Sequence, residues 1–310
     1  MRQSPFRPGR RRILAMLAGT GTALTMKPTM AQPVATLTTR PIPASGEPLP
    51  VVGLGTWQTF DVGGDARARA PLGEVLSVLA AAGGKVVDSS PMYGTSEEVV
   101  GDLVAKLDLR PRLFLATKVW TNGRAEGIAQ MEQSLRRLRA ERLDLMQIHN
   151  LVDVATHTRT LEDWKAAGRV RYVGITHYTS SAYREVERVL KAGHYDFLQI
   201  NYSLDEPEAA ERLLPLAEEK KVAVLVNRPF GKGSMFRRTR GKPLPEWSRE
   251  LGIGSWAQYF LKWIIGHPAV TCAIPGTAKP EHMRDNLGAA LGPLPDAAMR
   301  RRMAEHYANL

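Results

Sequence analysis

The stretch Gly84-Lys85-Val86-Val87-Asp88-Ser89-Ser90-Pro91-Met92-Tyr93-Gly94-Thr95-Ser96-Glu97 decides how the chain is read. A short apolar run ends on a carboxylate, Asp88. A tight turn carrying Tyr93 follows, and then a helix start. Thr95 and Glu98 have the spacing of a capping box, and Val99, Val100, Leu103 and Val104 supply an apolar helix stripe. A strand that ends on an acid and passes through a turn into a helix is one unit of an alternating α/β chain.

The unit recurs on both sides. Upstream, a first strand at Leu49–Gly53 leads through Gly53-Leu54-Gly55-Thr56-Trp57 to a helix with Leu72, Val75, Leu76 and Leu79 on one face. Downstream, strands are expected at Leu113–Lys118, Leu143–His149, Tyr172–Thr176, Phe197–Asn201, Val222–Asn227 and Thr271–Ile274. Each precedes a helical pattern; the last helix is expected from Pro280. The strands are short and rich in Val and Ile, as strands buried on both faces must be. Eight such units predict a single-domain α/β fold, a closed (β/α)8 TIM barrel, rather than an open doubly wound sheet. No Gly-x-Gly-x-x-Gly follows a strand, so a Rossmann nucleotide site lacks its signature. Barrel active sites lie at the C-terminal ends of the strands. Asp88, Lys118, His149, Thr176, Gln199, Asn227 and Gly276 all fall at or just past such ends.

The chain has 310 residues and a formal net charge of +11. Six of the cations, Arg2, Arg7, Arg10, Arg11, Arg12 and Lys27, lie in the first 31 residues, which carry no acid. No basic run or nucleic-acid module remains beyond them, so a nucleic-acid partner is not expected. Residues 1–31 read instead as a twin-arginine-type export signal. Arg10-Arg11-Arg12-Ile13-Leu14 is followed by a moderately apolar stretch and by a small-residue cleavage site at Thr29-Met30-Ala31. The expected location is periplasmic or exported, reached through the twin-arginine machinery. A membrane anchor and a cytoplasmic protein with a basic tail are the alternatives. A linker with an extended segment (residues 32–48) and the barrel (residues 49–310) complete the expected organisation. The lone cysteine, Cys272, excludes an intrachain disulfide, and no metal is expected.

A lysine at the end of Leu113-Phe114-Leu115-Ala116-Thr117 heads into a packed barrel and needs a partner, which Asp88 on the neighbouring strand can supply. Asp88, Tyr93, Lys118 and His149, on consecutive units at one end of a barrel, can together move a proton onto a carbonyl oxygen. A free tyrosine, with a pKa of ~10, is a weak donor. A neighbouring cation lowers that value, so Lys118 would activate Tyr93 and Asp88 would hold Lys118 charged. A Schiff-base role for Lys118 is the competing reading.

From about Leu49 to Leu287 the chain resembles the aldo-keto reductase family. The family's Asp-Tyr-Lys-His tetrad falls on Asp88, Tyr93, Lys118 and His149, and its Gly-rich entry strand on Gly53-Leu54-Gly55-Thr56-Trp57. The resemblance implies NAD(P)H-dependent reduction of an aldehyde or ketone, with Tyr93 as general acid and His149 orienting the carbonyl. It also implies a cofactor site. Gly55 and Thr56 lie on the entry strand. Thr176, His177 and Gln199 would meet the nicotinamide amide. Asn227 stands where the family usually stacks an aromatic ring, with Arg228, Phe230 and Gly231 beside it. Gly276 and Thr277 resemble the adenosine-phosphate loop, and Asp285 and Asn286 its closing pair. Lys279, His282 and Arg284 are placed to meet a 2′-phosphate, so NADPH is expected, with NADH as the alternative. Trp57, Met92, Trp120 and Asn150 are the expected substrate wall. The partner is a small-molecule carbonyl compound. A barrel that binds NADP(H) without catalysis, as a regulatory or binding partner, and a lyase built on Lys118 are the other functions considered.

Overall fold

A computed structural model describes residues 36–310. The expected export signal lies outside the described residues. Ten strands and ten helices follow one another. The strands are β1 (Thr39–Pro41), β2 (Pro48–Pro50), β3 (Leu54–Gly55), β4 (Val86–Asp88), β5 (Phe114–Val119), β6 (Leu143–His149), β7 (Val170–Thr176), β8 (Phe197–Asn201), β9 (Ala223–Asn227) and β10 (Cys272–Ala273). The helices are α1 (Ala66–Ala81), α2 (Ser96–Lys106), α3 (Arg124–Arg137), α4 (Val154–Ala166), α5 (Tyr183–Ala192), α6 (Ala209–Glu219), α7 (Ser234–Arg238), α8 (Trp256–Ile265), α9 (Pro280–Gly288) and α10 (Ala297–Ala308).

Strands β3 to β10 pair in sequence order, every pair parallel. The two ends of this sheet meet. Gly53 N donates to Ala273 O at 2.8 Å and Gly55 N to Pro275 O at 3.1 Å. A Cβ on Gly55 would stand 2.8 Å from Ile274 O, so a side chain there would hold the two strands apart. The eight-stranded barrel is thereby almost closed.

Alternation along each strand sorts side chains between two cores. Phe114, Leu145, Tyr172, Phe197, Leu225 and Cys272 point inward and form the lower barrel interior. The residues between them, such as Leu115, Met146, Val173, Leu198 and Val224, point outward and pack beneath the helices. Continued upward, the inward parity reaches Asp88, Lys118, Gln147, His149, Thr176, Gln199 and Asn227. The interior therefore changes from apolar to polar toward the C-terminal ends of the strands.

Three differences from the sequence expectation have physical causes. The first barrel strand is β3, not Leu49–Gly53. Pro48–Pro50 instead pairs antiparallel with Thr39–Pro41, and this hairpin places Ile42 and Leu49 in the lower interior. Its turn is tied to β7 by Tyr172 Oη, 2.6 Å from Ser45 Oγ, and by the Arg171–Glu47 ion pair. The stretch expected as a linker thus seals the barrel floor. Second, Thr95 and Glu98 form no capping box. Asp61 accepts from both the Thr95 amide and hydroxyl at 2.8 Å, and that hydroxyl receives Gly63 N at 2.9 Å. A loop partner has taken the hydroxyl that would have capped the helix. Third, the helix from Pro280 is not the last. α10 follows, anchored by Asp296 as N-cap and by buried Met303 and Tyr307. Among the described residues no helix is long and apolar enough to cross a membrane.

Candidate active site

The polar upper layer opens into a cavity of about 610 Å³ at the C-terminal ends of the strands. Strand register determines its floor. Gly55 lies beside Asp88, Lys118 beside Gln147, His149 beside Thr176, and Thr176 beside Gln199.

Asp88 and Lys118 form a buried ion pair at 2.6 Å, with side chains 4% and 0% exposed. Such a pair needs further hydrogen bonds to offset its desolvation. Lys118 Nζ also donates to Ser89 O at 2.6 Å. The second carboxylate oxygen of Asp88 accepts from Gln147 Nε2 at 3.1 Å and Gln199 Nε2 at 2.8 Å. Gln199 Oε1 accepts from the Thr176 hydroxyl at 3.0 Å. Thr56 Oγ1 lies 3.0 Å from both Asp88 O and Ser89 Oγ. Burial works against the Lys118 charge, but Asp88 and Tyr93 outweigh it and hold the ammonium above its usual range.

Lys118 Nζ sits 5.0 Å from the centre of the Tyr93 ring. The expectation that this cation leaves Tyr93 more acidic than a free phenol is corrected by burial. Desolvation pushes the phenol up, Lys118 pulls it down through its charge and a hydrogen bond, and Asp88 pushes it up again; the result lies above the usual value. Tyr93 is thus held protonated at neutral pH, the form a proton donor requires.

His149 meets Tyr93 edge-on at 6.0 Å between ring centres, and Ser90 Oγ lies 3.2 Å from its Nδ1. Burial, the Lys118 charge and His177 bring its pKa down to about 2. The imidazole is neutral throughout the physiological range.

Of the residues singled out in the sequence, Gly55, Thr56, Trp57, Asp88, Met92, Tyr93, Trp120, His149, Asn150, Thr176, Gln199, Asn227, Arg228, Phe230 and Gly276 line the cavity. Lys118 lies just beneath it. His177 stands behind: its carbonyl accepts from Asn227 Nδ2 at 3.1 Å and its ring stacks on Tyr178. Gly231 begins a short turn whose next residues, Lys232 and Gly233, reach the lining. Thr277 and Lys279 just before α9, and His282, Arg284, Asp285 and Asn286 along it, do not line this cavity. There the Asp285 carboxylate already accepts from Ser255 Oγ at 2.7 Å and Gln258 Nε2 at 2.8 Å, and Thr277 Oγ1 receives Lys279 N at 3.1 Å.

Sequence reading missed Ser89, Ser90 and Gln147, which wire the buried groups together, and Tyr178 and Phe236, which line the mouth. Their signal was available in part: Gln147 shares inward parity with His149 two residues on. The cations of the long loop after β9 divide. Lys232 stands over the Trp57 ring at 5.1 Å. Arg238 and Lys242 donate to Ala308 O and Leu310 O and hold down the C-terminus.

The cavity wall keeps unused polar atoms. Asn150 Oδ1, Asn227 Oδ1 and Arg228 Nε are buried without a partner among the described residues. All three residues line the cavity, and two acceptors with a guanidinium among its walls suit a ligand that carries both an amide and phosphates, which is the chemistry of a nicotinamide dinucleotide.

A nearly closed parallel barrel with this buried acid–lysine pair beneath a tyrosine and a histidine defines a class. The Aldo/keto reductase family model matches residues 51–306, and the chain belongs to that family. It is 29% identical over 246 residues to methylglyoxal reductase YeaE of Escherichia coli (strain K12), an alignment spanning 77% of this chain and 84% of that protein. Among solved structures, an aldo-keto reductase from Klebsiella pneumoniae in complex with NADPH superposes with a TM-score of 0.72 at 26% identity. That match covers 84% of this chain and 92% of the other. An aldo/keto reductase from the same organism in complex with NADP and acetate gives 0.70 at 26% identity, over 84% and 93%.

Proposed function

We propose that the protein is an NADPH-dependent reductase of aldehydes or ketones, and that Asp88, Tyr93, Lys118 and His149 carry the chemistry. The observation that carries this reading is the Asp88–Lys118 pair buried at 2.6 Å directly beneath Tyr93, with His149 at the cavity wall. Reduction of a carbonyl needs a hydride on carbon and a proton on oxygen. The reduced nicotinamide, when bound, supplies the hydride. Tyr93 Oη gives its proton to the carbonyl oxygen, and Lys118 stabilises the tyrosinate that remains. Asp88 keeps Lys118 charged, and His149 donates to the carbonyl oxygen and aims it. Asn150, Asn227 and Arg228 would hold the cofactor through their unused atoms. Thr176 and Gln199 spend hydrogen bonds on each other and on Asp88, so they would support the amide end while positioning the acid. Support for NADPH over NADH comes from Arg228 and Lys232 in the cavity lining, from Lys279 and Arg284 at α9 outside it, and from the two NADP(H)-bound Klebsiella relatives.

Lys118 is a poor Schiff-base nucleophile here. It is fully buried, donates to two acceptors and is held protonated, whereas a nucleophilic amine must be neutral.

The test is loss of reduced-nicotinamide absorbance by purified mature protein with aromatic aldehydes, sugars and dicarbonyls, NADPH and NADH side by side. Cofactor binding is followed separately by tryptophan fluorescence. Turnover that disappears in Tyr93→Phe while NADPH still binds supports the reading. Tight NADPH binding without turnover on any carbonyl replaces it with a non-catalytic binding protein.

We further propose export by the twin-arginine route, from the Arg10-Arg11-Arg12 run and the Ala31 cleavage site. Processing after Ala31 and recovery in the periplasmic fraction, both lost in Arg10→Lys/Arg11→Lys/Arg12→Lys, are expected. Full-length protein in the cytoplasm alone would refute it.

A further inference from the structure

Ser90 is fully buried and its hydroxyl has two neighbours among the described residues: His149 Nδ1 at 3.2 Å and the Met92 amide at 3.5 Å. A backbone N–H can only donate, so Ser90 Oγ is the acceptor from Met92. The serine proton then has one acceptor within reach, Nδ1. The opposite arrangement, with Nδ1–H donating to Ser90, would leave a buried serine proton unpaired. We infer that Ser90 is a positioning residue that holds His149 as the tautomer with its proton on Nε2, the nitrogen left free to meet the substrate carbonyl. This rests on the carbonyl-orienting role of His149 proposed above. Because the imidazole stays neutral, its tautomer alone decides whether it offers the carbonyl a donor or a lone pair.

The backbone adds a second link. Ser90 O accepts from Tyr93 N at 3.0 Å across Ser90-Pro91-Met92-Tyr93, a turn with proline at its second position. Proline also restricts the residue before it to extended conformations, which limits where the Ser90 side chain can point. One turn therefore carries the proton donor at its end and the group that orients the second donor at its start. Asp88, Ser89 and Ser90 then serve in succession as carboxylate for Lys118, carbonyl for Lys118 and hydroxyl for His149.

The experiment is long-range 1H–15N correlation on protein carrying 15N-labelled histidine, with the His149 signals assigned by their loss in His149→Gln. Wild type should show a protonated Nε2 and an unprotonated Nδ1. In Ser90→Ala the Nδ1–H form should appear, and kcat should fall about five- to tenfold, the worth of one hydrogen bond, with NADPH affinity unchanged. Ser90→Cys, a weaker donor of similar size, should fall between the two and serves if the alanine variant folds poorly. A wild-type His149 protonated on Nδ1 would overturn the inference, as would a Ser90→Ala spectrum and kcat both indistinguishable from wild type. The spectra need no substrate and so stand apart from the reductase reading. That reading fails instead if Tyr93→Phe and His149→Gln reduce carbonyls as fast as wild type.

Discussion

Asp88→Asn is the most informative single change, because three donors converge on two oxygens. One carboxylate oxygen faces Lys118 Nζ at 2.6 Å. The other faces Gln147 Nε2 at 3.1 Å and Gln199 Nε2 at 2.8 Å. Asparagine has the same shape but only one oxygen. Whichever way it turns, its NH2 points at a donor. In either orientation an ammonium with no exposed surface loses its counter-charge; if the oxygen stays with Lys118 both glutamine amides also lose their acceptor, and if it stays with the glutamines Lys118 loses the hydrogen bond as well. Removing one partner of a buried pair costs about 3–5 kcal/mol. At roughly 2–4 °C per kcal/mol for a chain of this length, Tm should fall by roughly 6–20 °C. The assay is scanning calorimetry of wild type, Asp88→Asn, Lys118→Met and the double variant at pH 7. The double variant removes both charges and should be more stable than Asp88→Asn alone, although its turnover stays lost because Tyr93 has no cation beneath it. An Asp88→Asn Tm within about 2 °C of wild type would refute the argument. So would destabilisations that simply add in the double variant.

Two other expectations follow from geometry and charge. Helices α2 and α3 approach at Gly101, where a Cβ would stand 2.0 Å from Arg137 O and 2.8 Å from Leu138; Gly101→Ala should cost about 3 kcal/mol in a urea titration, and a midpoint equal to wild type would show that the helices separate freely. His149 carries a pKa of about 2 in the fold against its ordinary 6.5. Between those values the unfolded chain binds the extra proton, so this contribution to stability is complete above pH 6.5 and is lost as pH falls below it. His149→Gln should therefore flatten the fall in Tm between pH 6.5 and 4, and an acid limb as steep as wild type would assign that loss to other groups.

Much of the site was readable in one dimension because barrel architecture converts position on a strand into position in space. Asp88, Lys118, His149, Thr176, Gln199 and Asn227 all lie on inward-facing runs near the C-terminal ends of their strands, and the fold brings all but the buried Lys118 to one opening. Lys279, His282 and Arg284, at and just before α9, were legible as a polar cluster, but their exclusion from the lining of the main cavity was not.

Local pattern was enough to give the succession of eight strand-and-helix units and the parity that aims polar side chains into the barrel top. Both depend on contacts between residues close in the chain, repeated with periods of 2 and 3.6. Beyond the Asp88–Lys118 pair, which groups meet came from the tertiary structure. It paired residues 39–41 with residues 48–50 in a hairpin that floors the barrel, gave Thr95 to Asp61 rather than to its own helix, and brought Ser90 to His149 across 59 positions. It also decided the protonation of Tyr93, where burial overrides the neighbouring cation. Desolvation and long-range hydrogen bonding depend on what the rest of the chain packs around a residue, and no local pattern records that.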